Sequence, residues 1–273
     1  MTAPDRNNKF YFELYLIKKT YQLFGFKKMV MFLIGLPTVI FTKRNRSAYN
    51  FLGKCVMEIN DKKIKWKHTD VGFIDELILD KCYMPNDSFK IKNDYVVVDA
   101  GANVGVFSLF AASYAINGKI ISIEADKYDY KRLQDNISEN NFKNIFPINK
   151  ALTDKSGHVY LSDSVVREPS NKNFHKDNYI FEGKVESISP DDLIKQFKLN
   201  RIDFLKLDIE GSEFKIFSNP NWLKIVRIIS MELHAEPEDK KTLEMKKMLE
   251  NFNFSVNLIK NGNVTYCFAL KHQ

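Results

Sequence analysis

The chain of 273 residues is 44% hydrophobic and carries a formal net charge of +7; it is long enough to bury a full core and too apolar to stay disordered. The charge is local: residues 1–50 hold nine Lys/Arg and two Asp/Glu, while the remaining 223 residues hold 32 of each. A neutral main domain argues against nucleic acid as a partner, and three cysteines (Cys55, Cys82, Cys267) without disulfide or metal-ligand spacing suit a reducing, cytoplasmic setting.

From Phe10 to Phe41 aromatic and aliphatic residues are interspersed with Lys18, Lys19, Lys27 and Lys28, and Lys43, Arg44 and Arg46 follow. The longest uncharged run, Met29–Thr42, has 14 residues and contains Gly35 and Pro37, short of the ~20 apolar residues of a spanning helix. It starts late and lacks the small-residue cleavage pattern of a signal peptide. Two readings stand. The segment is a helical lid or homo-oligomer contact, or residues 10–46 lie on the cytoplasmic membrane face, with apolar side chains in the interface and Lys/Arg against anionic head groups.

Residues 55–68, "CVMEINDKKIKWKH", alternate around an Asn-Asp-Lys turn and predict a hairpin. The spacing of Phe73, Leu77 and Leu79 predicts a helix over 70–83. Neither stretch carries evident chemistry, and residues 1–90 form an N-terminal extension to a domain over 91–273.

From Tyr95 strands alternate with helices, the pattern of a parallel sheet covered on both faces. "YVVVDA" (95–100) reads as a central strand buried on both sides. "KIISIEA" (119–125) is the second strand, and a helix follows over 127–140 with Tyr130, Leu133 and Ile137 on one face. "NIFPINKAL" (144–152) is the third strand, and residues 162–183 are a long aperiodic loop of the kind that more often serves function than idles. Ser189, Pro190 and two acids open the helix "SPDDLIKQF". "RIDFLKLD" (201–208) and "KIVRIISMEL" (224–233) are the fourth and fifth strands, residues 237–252 a further helix, and two last strands flank Asn261-Gly262, a strong hairpin signal. The fold class is α/β: a doubly wound, mostly parallel seven-stranded sheet with an antiparallel C-terminal hairpin and a helical and hairpin extension at the N-terminus.

In a doubly wound sheet, ligands bind where the first strand passes into its helix, here at "DAGANVG", Asp99 to Gly105. Gly101 permits a tight turn, Asn103 tolerates the left-handed conformation, and Gly105 lets the helix approach its strand. The G-x-G-x-x-G of a dinucleotide site is absent. Asp99 suits a cationic ligand and repels a pyrophosphate, and Glu124, 25 residues on, is placed to accept from two ribose hydroxyls. S-adenosylmethionine, a nucleoside with positive charge and no phosphate, fits both acids. The alternative is that both are ordinary strand-end turns.

On these residues the chain also resembles the FkbM-type S-adenosylmethionine-dependent methyltransferases. The resemblance rests on "VVVDAGANVGVFSLFAA", "IISIEADKYDYKRLQDNI", "INKALTDKSG", "VESISPDDLI", "IDFLKLDIEGSEFKIF" and "IISMELH", in order, over roughly 95–235. It implies a class I methyltransferase fold, with cofactor residues at Asp99, Gly101, Asn103, Gly105 and Glu124, Ala125 counted beside Glu124, and the adenine near Ala151. It also implies methylation of a hydroxyl on a saccharide, glycolipid or lipid-linked acceptor. Residues 1–90 lie outside it.

Methyl transfer to an alcohol needs alignment of the nucleophile and removal of its proton. Asp208 ends the fourth strand, with Glu210 and Glu213 after it, and Glu232 and His234 end the fifth on a shared face. His234 is the first candidate for general base. In a blander reading it hydrogen-bonds Glu232 or Asp208 and only shapes the pocket. In a third reading Asp208, Glu232 and His234 hold a divalent metal that activates the hydroxyl; no ligand spacing demands one. Two other functions compete: an NAD-dependent oxidoreductase, disfavoured by the missing glycine motif, and a membrane-peripheral binding protein on a methyltransferase scaffold.

Overall fold

A computed structural model describes residues 56–68, 74, 77, 82–160, 184–209, 212–262 and 264–272. The chain divides into two compact units, Met1–Asp80 with Arg167–Ile180, and Lys81–Val166 with Phe181–Gln273. In the first, β1 (Val56–Ile59) and β2 (Lys62–Lys65) pair antiparallel. Asn60 and Asp61 connect them with φ of 49° and 60°, a left-handed pair matching the hairpin's own twist. The predicted hairpin is therefore present. The basic segment 1–50, most of the helix predicted over 70–83, and the 162–183 loop lie outside the described residues.

The second unit holds the sheet. Its strands are β3 (Val96–Ala100), β4 (Lys119–Ile123), β5 (Ile145–Ile148), β9 (Ile202–Leu207), β10 (Val226–Leu233), β11 (Phe254–Asn261) and β12 (Val264–Lys271). They lie in the order β11-β12-β10-β9-β3-β4-β5. All pairings from β10 through β9, β3 and β4 to β5 are parallel, whereas β12 runs against both β10 and β11. Among the described residues the α-helices of this unit are α1 (Val106–Tyr114), α2 (Lys127–Asn140), α3 (Pro190–Phe197) and α4 (Lys240–Asn251).

The helix starts follow from their caps. Asp126 accepts from the backbone N–H of Tyr128 and Asp129 at the head of α2, and Ser189 accepts from Asp192 at the head of α3. Along β3, β4, β9 and β10, side chains alternate between two covered faces. Val98, Ala100, Leu205 and Leu207 join Leu193, Trp222 and Leu249 in one core. On the other face Phe107 of α1 meets Phe204 of β9, ring centroids 5.6 Å apart.

One predicted strand divides. "NIFPINKAL" becomes β5 and a separate β6 (Ala151–Leu152), because the Asn149 amide donates to the carbonyls of Glu124 and Ala125 and turns the chain. β6 joins β7 (Gly157–Tyr160) and β8 (Lys184–Ile188) in a small sheet of order β6-β8-β7. No strand is expected from the sequence at β7 and β8, which lack the apolar run of the main sheet: β7 has no buried residue, and in β8 only Ser187 and Ile188 are buried.

Candidate active site

The carboxyl ends of β3, β4, β9 and β10 converge on one edge of the sheet. The turn after β3 is built by its left-handed residues: Gly101, Asn103 and Gly105 have φ of 74°, 50° and 90°. Gly101 and Ala102 both donate their N–H to the carbonyl of Ile123, which ties the turn to the end of β4. Gly105 caps α1, and a methyl group on it would come within 2.4 Å of Leu133 on α2, so the glycine permits the close packing of α1 on α2. Gly101 is tighter still, because a methyl group there would sit 1.7 Å from the carbonyl oxygen of Asp208.

Glu124 stands at the end of β4, half-buried. One carboxylate oxygen accepts from the N–H of Asn103 at 2.7 Å and the other from the N–H of Asp126 at 2.8 Å. A carboxylate accepts about four hydrogen bonds, so each oxygen keeps capacity for a further donor. Burial, then the charge of Asp129, pushes its pKa up to about 7. Ala125 follows on the same edge, half-buried, and Ala151 opens β6 opposite Ser187. The half-buried Glu124 carboxylate thus stands beside the glycine turn, which it holds through the N–H of Asn103.

Asp99 does not face this edge. Its side chain is 0% exposed and accepts from the Ser108 hydroxyl at 2.5 Å, while Lys206 lies 3.4 Å away. The register explains why. Ser122, Asp99, Lys206 and Ser230 pair across β4, β3, β9 and β10, a polar row on the face beneath α1. The expected direct contact between Asp99 and a cationic ligand thus gives way to an internal ion pair that shapes the turn from below. An unpaired buried carboxylate is costly, which is why Lys206 stands beside it.

Lys206 escaped the sequence reading, although a lone lysine inside "IDFLKLD" was a readable signal. It donates to the Gly101 carbonyl at 2.8 Å, sits 3.5 Å from Asp208 and lies 5.3 Å from the Tyr83 ring centroid. Tyr83 was also missed, and no local pattern could have found it, since its contact with Asp208 spans 125 residues. Its hydroxyl donates to Asp208 at 3.2 Å, and burial, followed by the Asp208 charge, raises its pKa well above the ordinary phenol value.

The remaining acids gather on the same edge. Asp208 and Glu213 are buried, and Glu213 accepts from the N–H of Ile209 at 3.3 Å. His234 follows β10 with a side chain 36% exposed; its Nδ1 lies 3.8 Å from Glu213 and its Nε2 4.0 Å from Glu232. These are ion-pair distances, so an exposed imidazole stands between two carboxylates. Glu210 lies outside the described residues. Among the described residues, no group of three His, Cys, Asp or Glu side chains is arranged to hold a metal ion.

Residues 99–256 match the Methyltransferase FkbM domain. A hexuronic acid methyltransferase of Haloferax volcanii is 23% identical over 170 residues, 62% of this chain and 67% of that protein. The methyltransferase sdnD of Sordaria araneosa is 25% identical over 215 residues, 66% of this chain and 80% of that one. Among solved structures, a methyltransferase FkbM of Methylobacillus flagellatus superposes with a TM-score of 0.51 at 14% identity, covering 97% of this chain and 60% of that one. That last likeness concerns the fold.

Proposed function

Because the chain belongs to the FkbM methyltransferase family, we propose that it transfers a methyl group from S-adenosylmethionine to a hydroxyl of a saccharide or lipid-linked acceptor. The carrying observation is the edge formed by Gly101, Asn103 and Glu124, which offers a nucleoside two acceptor oxygens. Glu124 takes the ribose hydroxyls. Ala125 and Ala151 leave room for the base, and Gly101, Asn103 and Gly105 shape the turn on which the nucleoside rests. The bound cofactor supplies an electrophilic methyl on a sulfonium. A hexuronic acid substrate in the name of one relative supports a sugar as the acceptor class.

His234 is the general base in this reading. Its imidazole is exposed, where an acceptor can reach it, and Glu213 and Glu232 stabilise the imidazolium that forms when it takes the hydroxyl proton. Asp208 and Glu232 orient the acceptor, and Glu210, two residues after Asp208 in the sequence, is a further candidate for that role. Residues 1–90 are proposed as an extension to a catalytic domain over 91–273, with the basic segment 10–46 bringing the enzyme to anionic lipid.

The test is incubation with methyl-labelled S-adenosylmethionine and a cell extract separated into lipid, glycan and protein fractions. Label is expected in glycan or glycolipid. His234→Ala is expected to lower transfer by about 10²-fold with S-adenosylhomocysteine affinity retained. Label only in protein would remove the acceptor class, near-normal transfer by the variant would remove His234 as base, and binding of NAD in place of S-adenosylhomocysteine would remove the reading altogether.

A further inference from the structure

Lys206 is 4% exposed in the middle of the central sheet. A buried lysine is expensive unless its ammonium is fully engaged, and the partners it has chosen are informative. One is the carbonyl of Gly101 in the cofactor turn, 2.8 Å away. Another is Asp208, the first acid of the acceptor cluster, 3.5 Å away. The third is Asp99, 3.4 Å away, held in turn by Ser108. Tyr83 closes the assembly, lying edge-on to Phe107 and Tyr266 and donating its hydroxyl to Asp208. A lysine needed only to neutralise Asp99 has no reason to reach the Gly101 carbonyl and Asp208 as well.

We propose that Lys206 is a positioning residue that couples the two halves of the site, holding the cofactor turn through the Gly101 carbonyl and the acceptor end through Asp208. This rests on the reading of the turn as a nucleoside site. Gly101 has no side chain and packs directly on the Asp208 backbone, so the turn and the acid are already in contact, and the lysine fixes their register. Methyl transfer is sensitive to that register, because the reacting atoms must meet in line at about 3–3.5 Å. Binding at the turn and the state of Asp208 are thereby linked, and the linkage runs both ways.

The experiment titrates the full chain with S-adenosylhomocysteine by calorimetry in four forms: wild type, Asp208→Asn, the double variant Asp99→Asn/Lys206→Met, and the triple variant combining them. Asp99→Asn is included because it removes the fully buried carboxylate that Lys206→Met alone would leave uncompensated, while Asp208 keeps the Tyr83 hydroxyl; folding is followed by thermal melting. Affinity is expected to fall about tenfold in the double variant, and several-fold in Asp208→Asn on its own. In the triple variant Asp208→Asn is expected to have less than about a twofold further effect, since the strut through which it acts is gone.

A double variant that binds like wild type would reduce Lys206 to a counter-ion for Asp99 and overturn the proposal. Equal effects of Asp208→Asn with and without the lysine would overturn it too. If the double variant does not fold, Asp208→Asn alone still decides, because unchanged affinity there means that no coupling exists. A wild-type chain that takes up no S-adenosylhomocysteine removes the nucleoside reading and the coupling together, whereas a binding wild type with unaffected variants removes only the coupling.

Discussion

Glu124 couples the site to pH through a single carboxyl group. Its pKa is pushed up to about 7, chiefly by burial, so the acid is largely neutral at pH 6 and ionised at pH 8. In the proposed function, ribose hydroxyls donate to the ionised form. S-adenosylhomocysteine affinity is therefore expected to rise through this window with proton release on binding, which calorimetry in buffers of different ionisation enthalpy measures. Glu124→Gln is expected to abolish the pH dependence and weaken binding about tenfold or more, since it replaces a charged acceptor. The stability effect has the opposite sign: a raised folded pKa contributes stability below the unfolded value of 4.5, and that contribution is lost as pH rises through about 7. Thermal melting of the ligand-free protein should show this decline, and Glu124→Gln should flatten it.

Gly101 gives a steric counterpart. With φ of 74° and the Asp208 carbonyl oxygen 1.7 Å from an added methyl group, Gly101→Ala is expected to cost about 3 kcal/mol or more, combining left-handed strain with a backbone clash. Gly262 has a similar φ of 62° and nothing within 4 Å, so Gly262→Ala is expected to cost only about 1–2 kcal/mol. Chemical denaturation compares the two. Both glycines lie in turns that the sequence marked. Only the structure separates them, because what crowds Gly101 is a residue 107 positions away in the chain.

At the scale of elements, α2 links local sequence to the site. Asp126 accepts from Tyr128 and Asp129 with its side chain and donates its own N–H to Glu124. Asp126→Ala is expected to cost about 1 kcal/mol through the lost cap, read as a lower melting temperature, and to leave the backbone donation to Glu124 in place. A drop in S-adenosylhomocysteine affinity well beyond twofold would mean that the cap also fixes the carboxylate. This helix was legible at both ends from the local spacing of Tyr130, Leu133 and Ile137, and the structure adds the Asp126 cap. β7 and β8 were not, nor was the break that separates β6 from β5: β6 is two residues long, and β7 and β8 are stabilised by pairing within the small sheet, not by an apolar run. The row Ser122, Asp99, Lys206 and Ser230 sits between these cases. Each polar residue was visible within an apolar strand, but that they lie side by side depends on strand order and register.

At the scale of the whole molecule, charge and fold are separate properties. The +7 resides in residues 1–50, while Asp208, Glu213, Glu232 and the glycine turn belong to the unit that holds the sheet. No described helix is long and apolar enough to cross a membrane. The full chain is expected to co-sediment with vesicles containing anionic lipid at low ionic strength and to be released as the Debye length falls to about 3 Å in 1 M salt. Equal binding to neutral vesicles would exclude the basic segment as the cause.

The sequence by itself determined the alternation of strands and helices, the capped helix starts, the turn at Gly101, Asn103 and Gly105, and the family, because these depend on local periodicity and on short motifs. The tertiary structure decided which acids face outward. Asp99 and Glu124 look alike in sequence, each ending an apolar strand. Strand register puts Asp99 beside Lys206 under α1 and leaves Glu124 at the open edge. It also brought Tyr83 onto Asp208 from far along the chain. Contacts between distant residues follow from packing, and packing is fixed only when the whole sheet has formed.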